Sequence, residues 1–171
     1  TQTDKAPRSY YDAHTTFEGY INRAELVTPK SRTAKPYWSV SLCMLSGSKD
    51  KPTKTTVDTI VRGADAEQLI ATHTNGIGKV AIYGRFKVSD IGSKSYTSKK
   101  TGQLVHALTG RLILISYLKV ADDVVHCSPE LKDYVPHAQY DVQTTFPGFV
   151  NSAILRTSEK GKTYWSVGIC M

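Results

Sequence analysis

Along most of the first 120 positions apolar and polar residues alternate with a period of two, the pattern of half-buried strands. Thr16 to Val27 reads as a first strand, followed by a turn rich in Pro29, Lys30, Ser31, Arg32 and Lys35. Tyr37 to Leu45 alternates most cleanly, with Trp38, Val40, Leu42 and Met44 on the core face and Tyr37 on the opposite one. A polar loop from Ser46 to Lys54 leads to a third strand, Thr55 to Arg62, which Gly63 ends. From Ala64 to Thr74 the period lengthens to that of a helix. Ala66, Leu69 and Ile70 lie on one side, Asp65 is the expected cap, and Asn75-Gly76-Ile77-Gly78 marks the stop. Lys79 to Val88 and Val105 to Leu118 are the fourth and fifth strands, joined by a polar, basic loop from Asp90 to Leu104. On strand four, Tyr83, Arg85 and Lys87 share one face, and Val80, Ile82, Phe86 and Val88 share the other.

Self-similarity organises the rest of the chain. Tyr11-Asp12-Ala13-His14-Thr15-Thr16-Phe17-Glu18-Gly19-Tyr20-Ile21-Asn22 returns as Tyr140-Asp141-Val142-Gln143-Thr144-Thr145-Phe146-Pro147-Gly148-Phe149-Val150-Asn151. Tyr37-Trp38-Ser39-Val40-Ser41-Leu42-Cys43-Met44 then returns as Tyr164-Trp165-Ser166-Val167-Gly168-Ile169-Cys170-Met171, after a turn two residues shorter. Matched blocks in matched order indicate a duplicated unit. Three segments follow: a domain over 1–121, a linker over 122–139 holding Pro129 and Pro136, and the first two strands of a second, incomplete repeat over 140–171. A lone two-stranded ribbon is marginal in water, so either more strands follow or this hairpin packs on another surface.

Three strands, a short helix and two more strands predict an all-β fold: a five-stranded OB-fold barrel with one helix between strands three and four. The stretch from Thr16 to Val120 resembles the bacterial single-stranded DNA-binding protein family. The resemblance rests on Gly19-Tyr20-Ile21-Asn22 at the opening strand and on Val61-Arg62-Gly63 followed by Ala66-Glu67-Gln68-Leu69-Ile70. It continues through Gly78-Lys79-Val80-Ala81-Ile82-Tyr83-Gly84-Arg85-Phe86 at the fourth strand and Lys100-Thr101-Gly102-Gln103 at the hairpin tip. Members of that family place base-stacking aromatics on strand three, where this chain has Thr56, Asp58 and Arg62. The duplication resembles replication-associated OB proteins of integrative conjugative elements.

Charge sharpens the functional expectation. Twenty-two Lys and Arg against 15 Asp and Glu leave a net charge of +7, which favours a polyanionic partner. Single-strand binders combine a cationic groove with aromatic faces. Both occur here: Arg32 in the first basic loop; Lys49, Lys51 and Lys54 in the second; Lys94, Tyr96, Lys99 and Lys100 in the third. Tyr37, Arg62, Tyr83, Arg85 and Lys87 complete the expected nucleic-acid-binding set. Phe17 and Phe146 are expected in cores. Cys43, Cys127 and Cys170, with five scattered histidines, show neither zinc spacing nor a paired disulfide framework, and are expected as thiols packed in apolar surroundings of a reducing cytoplasm. No metal or cofactor is expected. No phosphate-binding loop, metal-ligand helix or nucleophile elbow occurs, so the chain reads as a non-enzymatic binder. The expected partner is single-stranded DNA, bound without sequence preference in support of replication, recombination or transfer. The alternative is an interaction module that recruits replication or conjugation proteins or assembles as a homo-oligomer or tandem OB array. No apolar run approaches the roughly 20 residues that cross a bilayer.

Overall fold

The computed structural model describes residues 13–31, 33–74, 77–97, 102–132, 139–158 and 161–170. One compact unit spans His14–Thr144. It contains β1 (His14–Val27), β2 (Tyr37–Ser48), β3 (Thr53–Val61), α1 (Ala64–His73), β4 (Ile82–Thr97), β5 (Leu104–Val120), β6 (Asp123–Cys127) and β7 (Gln139–Tyr140). A short strand, β8 (Gln143–Thr145), follows β7, and β9 (Phe149–Thr157) with β10 (Thr163–Cys170) forms a separate hairpin.

The sheet closes on itself because β1 pairs twice. Its first half runs antiparallel to β4 and its second half antiparallel to β2, with a bulge between Ile21 and Arg23 on the β2 side. β2 continues to β3, β3 lies parallel to β5, and β5 returns antiparallel to β4. The circuit β1-β2-β3-β5-β4-β1 is a closed five-stranded barrel of the OB type, with α1 between β3 and β4. Inside it lie Phe17, Ile21, Val40, Leu42, Phe86, Val88, Leu112, Ile115 and Leu118, while Ala66 and Ile70 bring α1 into the same core. The rings of Phe17 and Phe86 meet at 6.0 Å. Trp38 and Met44 pack, half-buried, against this cluster, as their parity with Val40 and Leu42 predicts.

Three boundaries differ from the sequence reading. The basic segment from Asp90 to Leu104 is largely strand: β4 runs to Thr97 and pairs with β5 from Gly92↔Thr109 out to Thr97↔Leu104. From Gly92 to Thr97 its residues are exposed, so backbone bonding rather than apolar alternation defines it. Asp90, at φ 53, sits at the register shift where this arm leaves the barrel, a conformation short Asp side chains tolerate better than most. The segment 122–139 is not simply a linker, since β6 turns back at Ala121 and adds to β5, pairing Val120↔Asp123 and Tyr117↔Cys127. Five residues are too few for a clear period. Finally, the N-cap position of α1 is Gly63, not Asp65; it offers no side-chain cap, and its carbonyl accepts the first helical bond from Glu67 N at 2.8 Å. Asp65 sits in the first turn, where a carboxylate favours the helix dipole. Of the described thiols, Cys43 is buried, but Cys127 is exposed and so is not the packed apolar group expected. No helix among the described residues is long and apolar enough to cross a membrane.

The repeat is visible in the hydrogen-bond register. Ala24↔Val40 and Leu26↔Trp38 in β1–β2 correspond to Ala153↔Val167 and Leu155↔Trp165 in β9–β10. Both pairs skip one residue at the same place, Asn22 in the first copy and Asn151 in the second. Burial does not follow: Val40 and Leu42 are fully buried, whereas Val150, Leu155, Trp165, Val167 and Ile169 are all exposed. Phe146, expected in a core, is half-buried.

Barrel closure requires a close backbone approach at Gly19, which lies opposite Gly84 on β4 and Met44 on β2. A Cβ there would stand 2.0 Å from the Cys43 carbonyl oxygen, a clash only backbone movement relieves. Gly19→Ala is expected to destabilise the barrel by about 1–3 kcal/mol or more in urea denaturation, the range of overpacked cores. A surface control such as Lys51→Ala is expected to stay within about 0.5 kcal/mol of wild type.

Candidate functional site

Alternation along the closing strands places Glu18 and Tyr20 of β1 on the outside, beside Tyr83 and Arg85 of β4 and Tyr117 and Lys119 of β5. Tyr20 lies directly opposite Tyr83, Glu18 opposite Arg85, and Arg85 opposite Tyr117. The three phenol rings form a row: Tyr20 and Tyr83 meet edge-on at 5.3 Å, Tyr83 and Tyr117 at 6.4 Å. A fourth tyrosine arrives from a distance in sequence. β7 pairs with the end of β2, Gly47↔Tyr140, and the Lys49 ammonium stands 5.5 Å from the Tyr140 ring centre.

These four rings line an open cavity of about 410 Å³, with Ala81 and Ala121 leaving space and Lys49 and Lys119 supplying positive charge. Among the described residues no carboxylate lines it. Glu18 lies beside it, only 6% exposed, accepting a 2.5 Å hydrogen bond from the Tyr83 hydroxyl and pairing with the Arg85 guanidinium at 3.8 Å. Burial first, and then the Glu18 carboxylate, push the Tyr83 hydroxyl far above the ordinary phenol range. Tyr140 is raised too, by burial and then by its neighbours Tyr20 and Glu18. Lys119 reaches Asp122 at 3.3 Å on the surface.

A second groove, of about 460 Å³, crosses β2, β3 and β5 and the base of the β4–β5 arm. Tyr37, Lys94 and Arg111 line it, but so do Asp58 and Asp90. Arg111 is bound to the Asp90 carboxylate, and Asp58 pairs with Arg23 at 3.9 Å, so cation and anion largely offset one another there.

The expected residues are therefore divided rather than gathered into one strip. Tyr83 and Lys49 line the tyrosine cavity, and Tyr37 and Lys94 line the second groove. Arg85 is on the predicted outer face but engages Glu18. Lys87 is half-buried on that face, opposite Thr16. Tyr96 is exposed on the arm, and Arg62, Lys51 and Lys54 are exposed away from both cavities. Arg32, Lys99 and Lys100 lie outside the described residues. Sequence reasoning missed Tyr20, Tyr117, Tyr140, Lys119 and Glu18. Strand parity marks Tyr20, since it flanks the inward Ile21, but nothing local links Tyr117 or Tyr140 to it.

Residues 4–133 match the family described as Protein of unknown function (DUF3577), and the chain belongs to that family. The match ends before β7. No curated protein matches the chain.

Tyr83→Phe deletes the hydroxyl donated to a buried carboxylate. A loss of about 1–3 kcal/mol is expected in denaturant melts. Because the folded hydroxyl holds its proton after the unfolded one ionises, its stabilisation is present below the ordinary phenol pKa and is lost as pH rises above it. Wild type should accordingly lose stability more steeply than Tyr83→Phe once pH passes about 10, measured by thermal melts across an alkaline series.

Proposed function

We propose that this member of the DUF3577 family binds single-stranded DNA without sequence preference and without catalysis. The observation that carries the reading is the row Tyr20–Tyr83–Tyr117 beside a cavity whose charged lining is Lys49 and Lys119. Aromatic faces stack on any base, and ammonium groups contact the phosphates on either side, so the combination suits an unpaired polynucleotide and gives no basis for reading sequence. The second groove, on the face where OB barrels commonly take ligands, supports an extended path, with Tyr37 and Lys94 as its contacts. The excess of positive charge and the resemblance to bacterial single-strand binders agree with this role. It fits a cytoplasmic protein serving replication, recombination or transfer of a DNA element.

The apolar face of β9–β10 favours a second reading, an assembly function. Val150, Leu155, Trp165, Val167 and Ile169 form one exposed side of a ribbon, a surface suited to a second copy of the chain.

Labelled oligothymidine should bind with micromolar or tighter affinity in fluorescence anisotropy at low salt. Binding should weaken as salt rises, by about 0.7 in log–log slope per phosphate contacted. Tyr20→Ala and Tyr117→Ala should each weaken it about 5- to 100-fold with little change in slope, and duplex DNA should compete poorly. No binding at low salt ends the reading. For assembly, light scattering should show an oligomer that becomes a monomer on deletion of 146–171; a monomeric intact chain rejects it.

A further inference from the structure

The tyrosine cavity is completed by a residue from the start of the duplicated segment. Tyr140 opens the second copy of the repeat and lies beyond the family-matched residues 4–133, yet β7 pins it to the end of β2, where it forms a wall of the first barrel's cavity. Besides the backbone pairing, the Lys49 ammonium stands 5.5 Å from its ring centre. A few residues on, the Thr144 and Thr15 hydroxyls are bonded at 3.0 Å, so the returning chain is held to β1 as well as to β2.

Without Tyr140, the row Tyr20–Tyr83–Tyr117 is an open shelf. With it, four rings line the open cavity of about 410 Å³, with small Ala81 and Ala121 leaving space between them. Its apolar and aromatic lining suits a flat heterocycle, and Lys49 and Lys119 suit the phosphates on either side of that heterocycle's sugar. A base must be unpaired and unstacked before it can lie among these rings. We propose that the cavity takes one unstacked nucleobase of a bound single strand and that Tyr140 is the residue that makes it a pocket rather than a shelf. This inference rests on the single-strand reading above. It adds that the returning segment belongs to the barrel's binding site, so an excised 1–121 fragment would lack part of it.

The test places a single 2-aminopurine within oligothymidine and follows its fluorescence along with anisotropy. Wild type and Tyr140→Phe are expected to quench the probe and bind alike, because the ring and not the hydroxyl stacks. Tyr140→Ala is expected to lose the quenching and bind about 5- to 100-fold more weakly, with an unchanged thermal melt showing that the barrel is intact. Lys49→Ala should lower the salt slope by about 0.7. Free thymidine monophosphate should bind far more weakly than the oligomer, since it engages one base and one phosphate. If Tyr140→Ala binds and quenches like wild type, this inference falls and the single-strand reading stands. A mononucleotide that binds as tightly as the oligomer also overturns it, by making the cavity a nucleotide site. If wild type binds no oligonucleotide, both fall together.

Discussion

The architecture depends on β1 belonging to two partners at once. By pairing with β4 over its first half and β2 over its second, it turns an open sheet into a closed barrel. Closure assigns every β1 side chain an inside or an outside: Phe17 and Ile21 enter the core, and Glu18 and Tyr20 do not. It also forces backbones together at Gly19, where no larger residue fits. Burial of large side chains such as Phe17, Phe86, Leu42 and Leu118, each favourable by roughly 1.5–3 kcal/mol relative to exposure, favours this arrangement.

The outer surface follows from the same closure, and its electrostatics differ from what a net charge of +7 suggests. Glu18 is an acidic residue almost removed from water. It is tolerated because Tyr83 donates to it and Arg85 stands beside it. That arrangement takes Arg85 out of the freely available positive charge and fixes the Tyr83 ring between its neighbours. At the second groove Asp90 offsets Arg111, and Asp58 pairs with Arg23 outside the lining, both at the surface. The tyrosine cavity is different, since its charged lining is cationic. Lys119 does pair with Asp122, but that pair is at the surface, and such pairs are worth at most about 1 kcal/mol, so it holds Lys119 only weakly.

The duplicated segment shows how pairing and burial separate. β9–β10 reproduces the register of β1–β2 down to the skipped asparagine although its turn is two residues shorter, because the paired residues carry the same alternation in both copies. What lies against the apolar face is not local. In the first copy β3, β4 and β5 enclose Val40 and Leu42, whereas Val167 and Ile169 at the equivalent positions are exposed. The same sequence pattern thus forms part of a core in one place and a candidate contact surface in another.

Period-two alternation in β1, β2 and β4, the helical switch at Ala64 and the glycines between them determined the order of elements, the barrel type and the outward side of Tyr83, Arg85 and Lys87. Those features depend on neighbours along the chain, which sequence displays directly. The outer part of β4, from Gly92 to Thr97, and β6 were hidden, the one because it has no apolar alternation and the other because five residues define no period. Which outward residues meet was decided only by tertiary structure. Tyr20, Tyr83, Tyr117 and Tyr140 come from four strands scattered over 121 positions, and barrel closure with the return of β7 brings them together. The partner of Arg85 was equally invisible, because Glu18 and Arg85 become neighbours only when the first strand closes against the fourth. Composition records how many rings and charges a chain carries; strand pairing determines which of them face one another.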